Sequence, residues 1–202
     1  MFNLGISCYY HDSAAALLKD GHVIAAVEEE RFSRKKFDDD FPKNAINWCL
    51  EEAQLTPEQI DTVAFYDKPI LKFERLLDNY LAVAPRGLYS FIDVIPKWLH
   101  KRLWIKSEIH NSLKNFHGKI IFPEHHLSHA AHAYFTSPFD EAAILTVDGV
   151  GEWSTTTFGS AKNSKIVGAD INELSPIKGF NSYNFLVAKL AYKILSYKFL
   201  YK

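Results

Sequence analysis

Twice in this chain an apolar strand runs into a short polar turn and comes back as a second strand, and that repeated plan limits the fold more than any other feature. The first copy is Asn3 to Cys8, then Tyr9-Tyr10-His11-Asp12-Ser13, then Ala14-Ala15-Ala16-Leu17-Leu18. Asp20-Gly21 marks a tight hairpin, because a type I′ turn needs the positive φ that Asp and Gly tolerate, and His22 to Val27 returns as the partner strand. The second copy is the apolar strand Ala142 to Val147, the turn Asp148-Gly149-Val150-Gly151 and a Thr-rich strand ending near Gly159. Between the copies, Pro42 stands where a first helical turn accepts it, and Ile46, Cys49, Leu50 and Ala53 mark one helical face. Thr56-Pro57-Glu58-Gln59 has the form of a capping box opening a second short helix, and Thr62 to Tyr66 reads as a buried strand. The resulting order β-β-β-α-α-β predicts a mixed α/β domain.

Residues 69–116 read as helical, with Pro85, Gly87 and Pro96 as punctuation. Trp98, Ile105, Ile109, Leu113 and Phe116 form an apolar stripe, and Lys97, Lys101, Arg102 and Lys106 crowd the other side as a solvated face. Glu28 to Asp40 is a dense alternation of charge blocks, read as a solvated loop. Its functional version is an electropositive rim of Arg31, Arg34 and Lys35 for a phosphorylated ligand. A net charge of -1 gives no general attraction to nucleic acid or to an anionic membrane, so neither is expected as a partner. No uncharged apolar run approaches the ~20 residues that a membrane span needs. Cys8 and Cys49 lie far apart in sequence with no C-x-x-C, which favours a reducing cytoplasm over a disulfide framework.

Three stretches carry candidate chemistry. Glu124-His125-His126-Leu127-Ser128-His129-Ala130-Ala131-His132 holds four of the nine histidines. On a helix starting near His125, His125 and His129 sit one turn apart on one face and can share a metal ion, Zn or Fe(II). The zinc-hydrolase order H-E-x-x-H is not met, because His126 stands where the general-base Glu belongs. His126 and His132 are read as capping or packing residues. The second stretch is the His11-Asp12 turn, where His11 suits proton transfer near neutrality and Asp12 can bind a cation or orient a neighbour, unless the whole is a surface turn. In the third, Asp148 at a strand end can hold a cation or its water, while Gly149 and Gly151 make a turn whose amides face outward to cradle a phosphate. A plain hairpin would use the same residues.

The two polar turns together point to a repeated ribonuclease-H-like ATP-binding architecture, with the turns facing each other across a nucleotide. Four ordered motifs then resemble the carbamoyltransferase family of NodU, CmcH and TobZ: Tyr9 to Leu17, Glu29 to Lys36, Glu124 to Ala131 and Leu145 to Trp153, with Lys68-Pro69 and Leu71 to Leu77 also fitting. The resemblance implies a truncated N-terminal part of a domain like that of actin, Hsp70 and the sugar kinases, over residues 1–172. It implies an enzyme that makes a carbamoyl adenylate from carbamoyl phosphate and ATP and passes the carbamoyl group to a hydroxyl of a small-molecule or sugar acceptor. In that scheme His125 and His129 bind an iron-type metal, Fe(II) or another divalent ion. His11 takes the acceptor's proton, and Asp12 with Asp148, Gly149 and Gly151 contributes to nucleotide binding.

Family members are longer, with a second half of this domain and a YrdC-like C-terminal domain that is missing here. From about Ser175 the chain departs from the family's pattern, so residues 173–202 are expected to be a divergent tail, out of frame, and the chain an inactive fragment. The other readings are a non-catalytic nucleotide- or metal-binding remnant, a partner of an intact copy, or a kinase-like ATPase without carbamoyl chemistry. The third metal ligand is expected to be a carboxylate from the later half of the domain.

Overall fold

The computed structural model describes residues 1–149 and 151–170. These divide into two compact units, one of Met1–Glu124 and one beginning at His125. The tail expected after residue 172 lies outside the described residues.

In the first unit, alternation along the opening residues sets the sheet. β1 (Phe2–Ser7) turns Leu4 and Ile6 inward, and β2 (Ala14–Lys19) does the same with Ala15 and Leu17, following the period of two that a pleated strand imposes. The two pair antiparallel with Leu4 opposite Leu17. Asp20 and Gly21 both take positive φ, 51° and 84°, and lead into β3 (His22–Glu28), antiparallel to β2. After a single turn, α1 (Glu30–Ser33), comes α2 (Lys43–Glu52), which packs Ala45, Ile46, Cys49 and Leu50 onto β2 and β3. The expected second short helix is one 3-10 turn, Pro57–Gln59, whose Gln59 side chain accepts the Thr56 N–H at 2.8 Å. β4 (Thr62–Phe65) runs parallel to β1, and β5 (Lys119–Ile121) parallel to β4.

Between β4 and β5 lie α3 (Pro69–Val83), α4 (Leu88–His100) and α5 (Ile105–Ser112), with a 3-10 turn at Arg102–Trp104. Pro85 and Gly87, the latter at φ 82°, separate α3 from α4. Pro96 does not interrupt anything: it lies inside α4, where the buried Ile95 and the packing of Trp98 on Phe73 hold the helix through it. Ile105, Ile109, Leu113 and Phe116 are all buried as the stripe predicts, each worth about 1.5–3 kcal/mol relative to exposure. The sheet order is β3-β2-β1-β4-β5, an antiparallel ribbon extended by two parallel strands. That order is the ribonuclease-H-like one, in agreement with the fold class expected for the actin, Hsp70 and sugar-kinase group.

The second unit opens with α6 (His125–Phe135), followed by an antiparallel sheet of β6 (Glu141–Val147), β7 (Thr156–Lys162) and β8 (Lys165–Asp170) in sequence order. Val147 pairs with Thr156, and the Asp148 N–H donates to the Thr155 carbonyl at 2.8 Å, which closes the turn. α6 packs against β6, burying Ala130 and Tyr134 at an i, i+4 spacing. Three antiparallel strands in sequence order thus repeat the opening of the first unit.

Candidate functional site

The first polar turn is held by its backbone. The Tyr9 N–H donates to the Asp39 carbonyl and the Ser13 N–H to the Asp38 carbonyl, both at 2.7 Å, while the Glu29 N–H donates to the Ser13 carbonyl at 2.8 Å. Tyr9 and Asp12 sit at φ 71° and 47°, in the left-handed region that non-glycine residues seldom occupy. The Tyr9 hydroxyl donates to the Glu108 carboxylate. With the straps made by main chain, the His11 and Asp12 side chains stay 62% and 40% exposed, and His11 Nδ1 lies 2.8 Å from Asp12 Oδ2. A carboxylate on Nδ1 fixes the tautomer with the proton there and leaves Nε2 free to act as a base.

The charge block that follows is more structural than its composition suggests. Glu29 is buried, and its carboxylate accepts the Ala45 N–H at 2.8 Å, the Asn44 N–H at 3.2 Å and the Asn44 side-chain amide at 2.6 Å. It caps the N-terminus of α2, where free N–H groups and the helix dipole favour a negative charge. Asp38 is also buried, and hydrogen bonds from the Ser33 side chain, the Asp40 amide and Lys35 hold its carboxyl below the usual range. The solvated-loop reading therefore fails at these two residues. Of the proposed cationic rim, Lys35 bridges Asp38, Asp39 and Asp40, and Arg31 pairs with Glu28 and Glu30.

In the second unit a buried carboxylate again meets a helix start. Both oxygens of Glu152 accept the His125 N–H at 3.0 Å, which fixes the first residue of α6. His125 Nε2 then lies 2.7 Å from Asp148 Oδ2. One turn on, His129 Nε2 stands 3.1 Å from His125 Nε2 and 3.9 Å from Asp148 Oδ2. The His125 hydrogen bond holds the Asp148 carboxyl well below the usual carboxylate range, overcoming its burial. Burial and the neighbouring His125 ring push His129 down, toward the neutral form that a metal ligand requires.

The remaining residues of the cluster have other work. His126 Nε2 lies 2.7 Å from the Ser154 carbonyl and its Nδ1 2.7 Å from the Thr146 hydroxyl, which is 2.6 Å from the Thr157 hydroxyl. A carbonyl only accepts, so Nε2 carries the proton, Thr146 donates to Nδ1, and Thr157 donates to Thr146. Both ring nitrogens of His126 are thus used, as a packing role requires. His132 is exposed on α6 and packs into no core. Gly151 is required by close approach, since a Cβ there would stand 2.6 Å from the Ser154 carbonyl and 2.8 Å from His126 Nε2. Over Gly149 there is open space, and its N–H is turned onto Asp148 Oδ1 at 2.6 Å rather than outward.

The donor set of His125, His129 and Asp148 fits a metal ion. Among the described residues these three place ligand atoms within 4.8 Å of one another. Ligands bonded at about 2.1 Å on one face of an ion stand about 3 Å apart, close to the spacings found, and two imidazoles with one carboxylate form the face that suits Fe(II). Sequence reasoning put His125 and His129 on one helical face and gave Asp148 either a cation or a nucleotide turn with Gly149 and Gly151. Yet it expected the third ligand as a carboxylate from the later half of the domain, whereas Asp148 is the carboxylate that stands beside the two histidines. It missed Glu152 as the group that anchors His125.

Residues 3–179 match the family described as carbamoyltransferase N-terminus. The chain belongs to that family. An uncharacterized protein of Synechocystis, sll1178, is 52% identical over 81% of this chain and 28% of its own length. The nodulation protein NolNO of Sinorhizobium fredii is 36% identical over 73% of this chain and 21% of its own. The chain thus spans roughly a quarter of the length of these curated relatives. Among solved structures, YeaZ from Pseudomonas aeruginosa aligns with a TM-score of 0.43 at 13% identity, over 90% of this chain and 72% of that one. No described helix is long and apolar enough to cross a membrane.

Proposed function

We propose that this chain contributes a metal centre and a general base to O-carbamoyl transfer, in which a carbamoyl adenylate made from carbamoyl phosphate and ATP gives its carbamoyl group to a hydroxyl acceptor. The observation that carries the reading is the convergence of His125, His129 and Asp148 in a chain of the carbamoyltransferase family. Bound by these three, Fe(II) or another divalent ion would supply positive charge against the phosphate of the leaving nucleotide. In the transfer step the acceptor oxygen attacks the carbamoyl carbon, the bond from that carbon to the phosphate oxygen breaks, and the nucleotide leaves. His11 Nε2 takes the hydroxyl proton, and Asp12, 2.8 Å from Nδ1, stabilises the imidazolium that forms. Gly149, with open space over its α-carbon, leaves room for a phosphate oxygen beside Asp148. Buried free thiols at Cys8 and Cys49 accord with a cytoplasmic setting.

The test is a labelled-carbamoyl assay with the Fe(II)-loaded chain, ATP, carbamoyl phosphate and glycerol as the hydroxyl acceptor, run beside the Synechocystis relative. Label in glycerol that depends on both ATP and His11 is the expected result, and transfer by the relative without transfer by this chain would favour the reading of an inactive fragment. Metal binding with no transfer by either protein, over a panel of hydroxyl acceptors, would reduce the reading to a metal- or nucleotide-binding protein.

A further inference from the structure

In the first unit a cavity of about 390 Å³ separates the His11 turn and its strap from the end of α4, with Tyr9, Asp39 and Asp40 on one wall and Lys97, Lys101 and Arg102 on the other. That size lies in the ordinary range of small-molecule sites, about 300–1,000 Å³. Its three cations are not equivalent. Lys97 Nζ is held by both oxygens of Asp93 at 2.8 and 2.7 Å, and Lys101 Nζ by Asp40 at 3.2 Å. Arg102 is half-buried, yet among the described residues its guanidinium makes no hydrogen bond and no ion pair. It lies over the Trp98 ring, 5.1 Å from the ring centre, and Trp98 packs in turn on Phe73.

Stacking of this kind uses one face of the guanidinium and leaves its in-plane N–H donors unsatisfied. Two parallel N–H groups on a rigid fork are the donor set that a phosphate or carboxylate accepts best. Across the cavity the Asp39 carboxylate meets, among the described residues, only Lys35, at 3.6 Å, and so has acceptor capacity to spare for hydroxyl groups. Tyr9, whose hydroxyl is committed to Glu108, offers its ring as an apolar wall. We propose that this cavity binds a hydroxylated anion the size of a monosaccharide, with the Arg102 fork on its oxyanion and Asp39 accepting from its hydroxyls. Every residue of the site belongs to the first unit, so binding needs neither metal nor nucleotide and stands apart from the carbamoyl reading.

The test titrates the metal-free full chain with glucose 6-phosphate, glucuronate, glucose and inorganic phosphate, following binding by calorimetry and by the part of the tryptophan emission that is lost in W98F. At least one sugar anion is expected to bind about tenfold or more tighter than glucose or inorganic phosphate, since a hydrogen-bonded charge contributes about that factor. A preference for glucose 6-phosphate assigns the oxyanion as phosphate, and a preference for glucuronate assigns it as carboxylate. R102Q should weaken that binding about tenfold or more, and R102K, which keeps the charge but loses the fork, should fall between R102Q and wild type. D39N, which leaves Arg102 untouched, should weaken the sugar anions without weakening inorganic phosphate, which loses only a repelling charge. Sugar anions that bind no better than glucose would overturn the proposal. So would inorganic phosphate that binds as tightly as the sugar phosphate, or a folded R102K and D39N that both bind as wild type does.

Discussion

The two polar turns start from one plan, an apolar strand that must reverse, and solve it in opposite ways. The turn at Tyr9 to Ser13 is held by main-chain hydrogen bonds to the Asp38 and Asp39 carbonyls, which leaves His11 and Asp12 at the surface. The turn after Asp148 has one such main-chain bond, from the Asp148 N–H to the Thr155 carbonyl, and is otherwise tied by side chains: Asp148 reaches His125, Glu152 caps α6, and Gly151 makes room for His126. Where backbone does the holding, functional groups remain free to meet a substrate. Where side chains do it, the same residues bring two imidazoles and a carboxylate together, a set that fits a metal ion.

Substitutions should therefore separate the turns, and the largest effect belongs to His11. H11A should lower carbamoyl transfer about 10²–10⁴-fold, the range for loss of a general base, and leave the melting temperature unchanged. A drop in melting temperature matching the loss of activity would show that the first turn is structural after all. G151A should act in the opposite sense, costing about 1–3 kcal/mol of stability, because the added Cβ meets a backbone carbonyl and a fixed ring. Thermal or urea unfolding of G151A at wild-type stability would mean that the second turn has slack.

The two buried glutamates sharpen the comparison further. E29A should destabilise by about 1–3 kcal/mol, leaving the buried Ala45 N–H and the part-buried Asn44 N–H without their acceptor. E152Q should cost less, about 1 kcal/mol, since the neutral amide still accepts one hydrogen bond from His125. A smaller effect follows from pH. His129 is held below its ordinary range by burial and by His125, so on acidification the unfolded chain takes up that proton first. Stability is then full above about pH 6.5 and declines as the pH falls toward the lower folded value. Urea midpoints at a series of pH values should show the decline in wild type and less of it in H129N.

Much of the first sheet was legible because its signals are local: alternation at Leu4, Ile6, Ala15 and Leu17, and the turn chemistry of Asp20-Gly21. The pair His125 and His129 was legible for the same reason, as one helical turn fixes their spacing. What the sequence hid depends on contacts between distant residues. Glu29 looked solvated among charges because its partners, Asn44 and Ala45, belong to the next helix. Asp148 could be read as a cation holder at a strand end, but not as the partner of His125, because only the packing of α6 against β6 brings His125 to it. Pro96 was read as a break because helix propensity is local, whereas Ile95 and Trp98 hold α4 together through tertiary packing.

The central claim is that Asp148 completes a metal site with His125 and His129. Its most direct test is the binding of Fe(II) and Zn(II) to wild type and D148N, measured anaerobically by competition with a chromophoric chelator. The account predicts one equivalent bound by wild type and an affinity lower by about 100-fold or more in D148N, at least the loss that removing a ligand's supporting partner brings. D148N that binds one equivalent as tightly as wild type would contradict it.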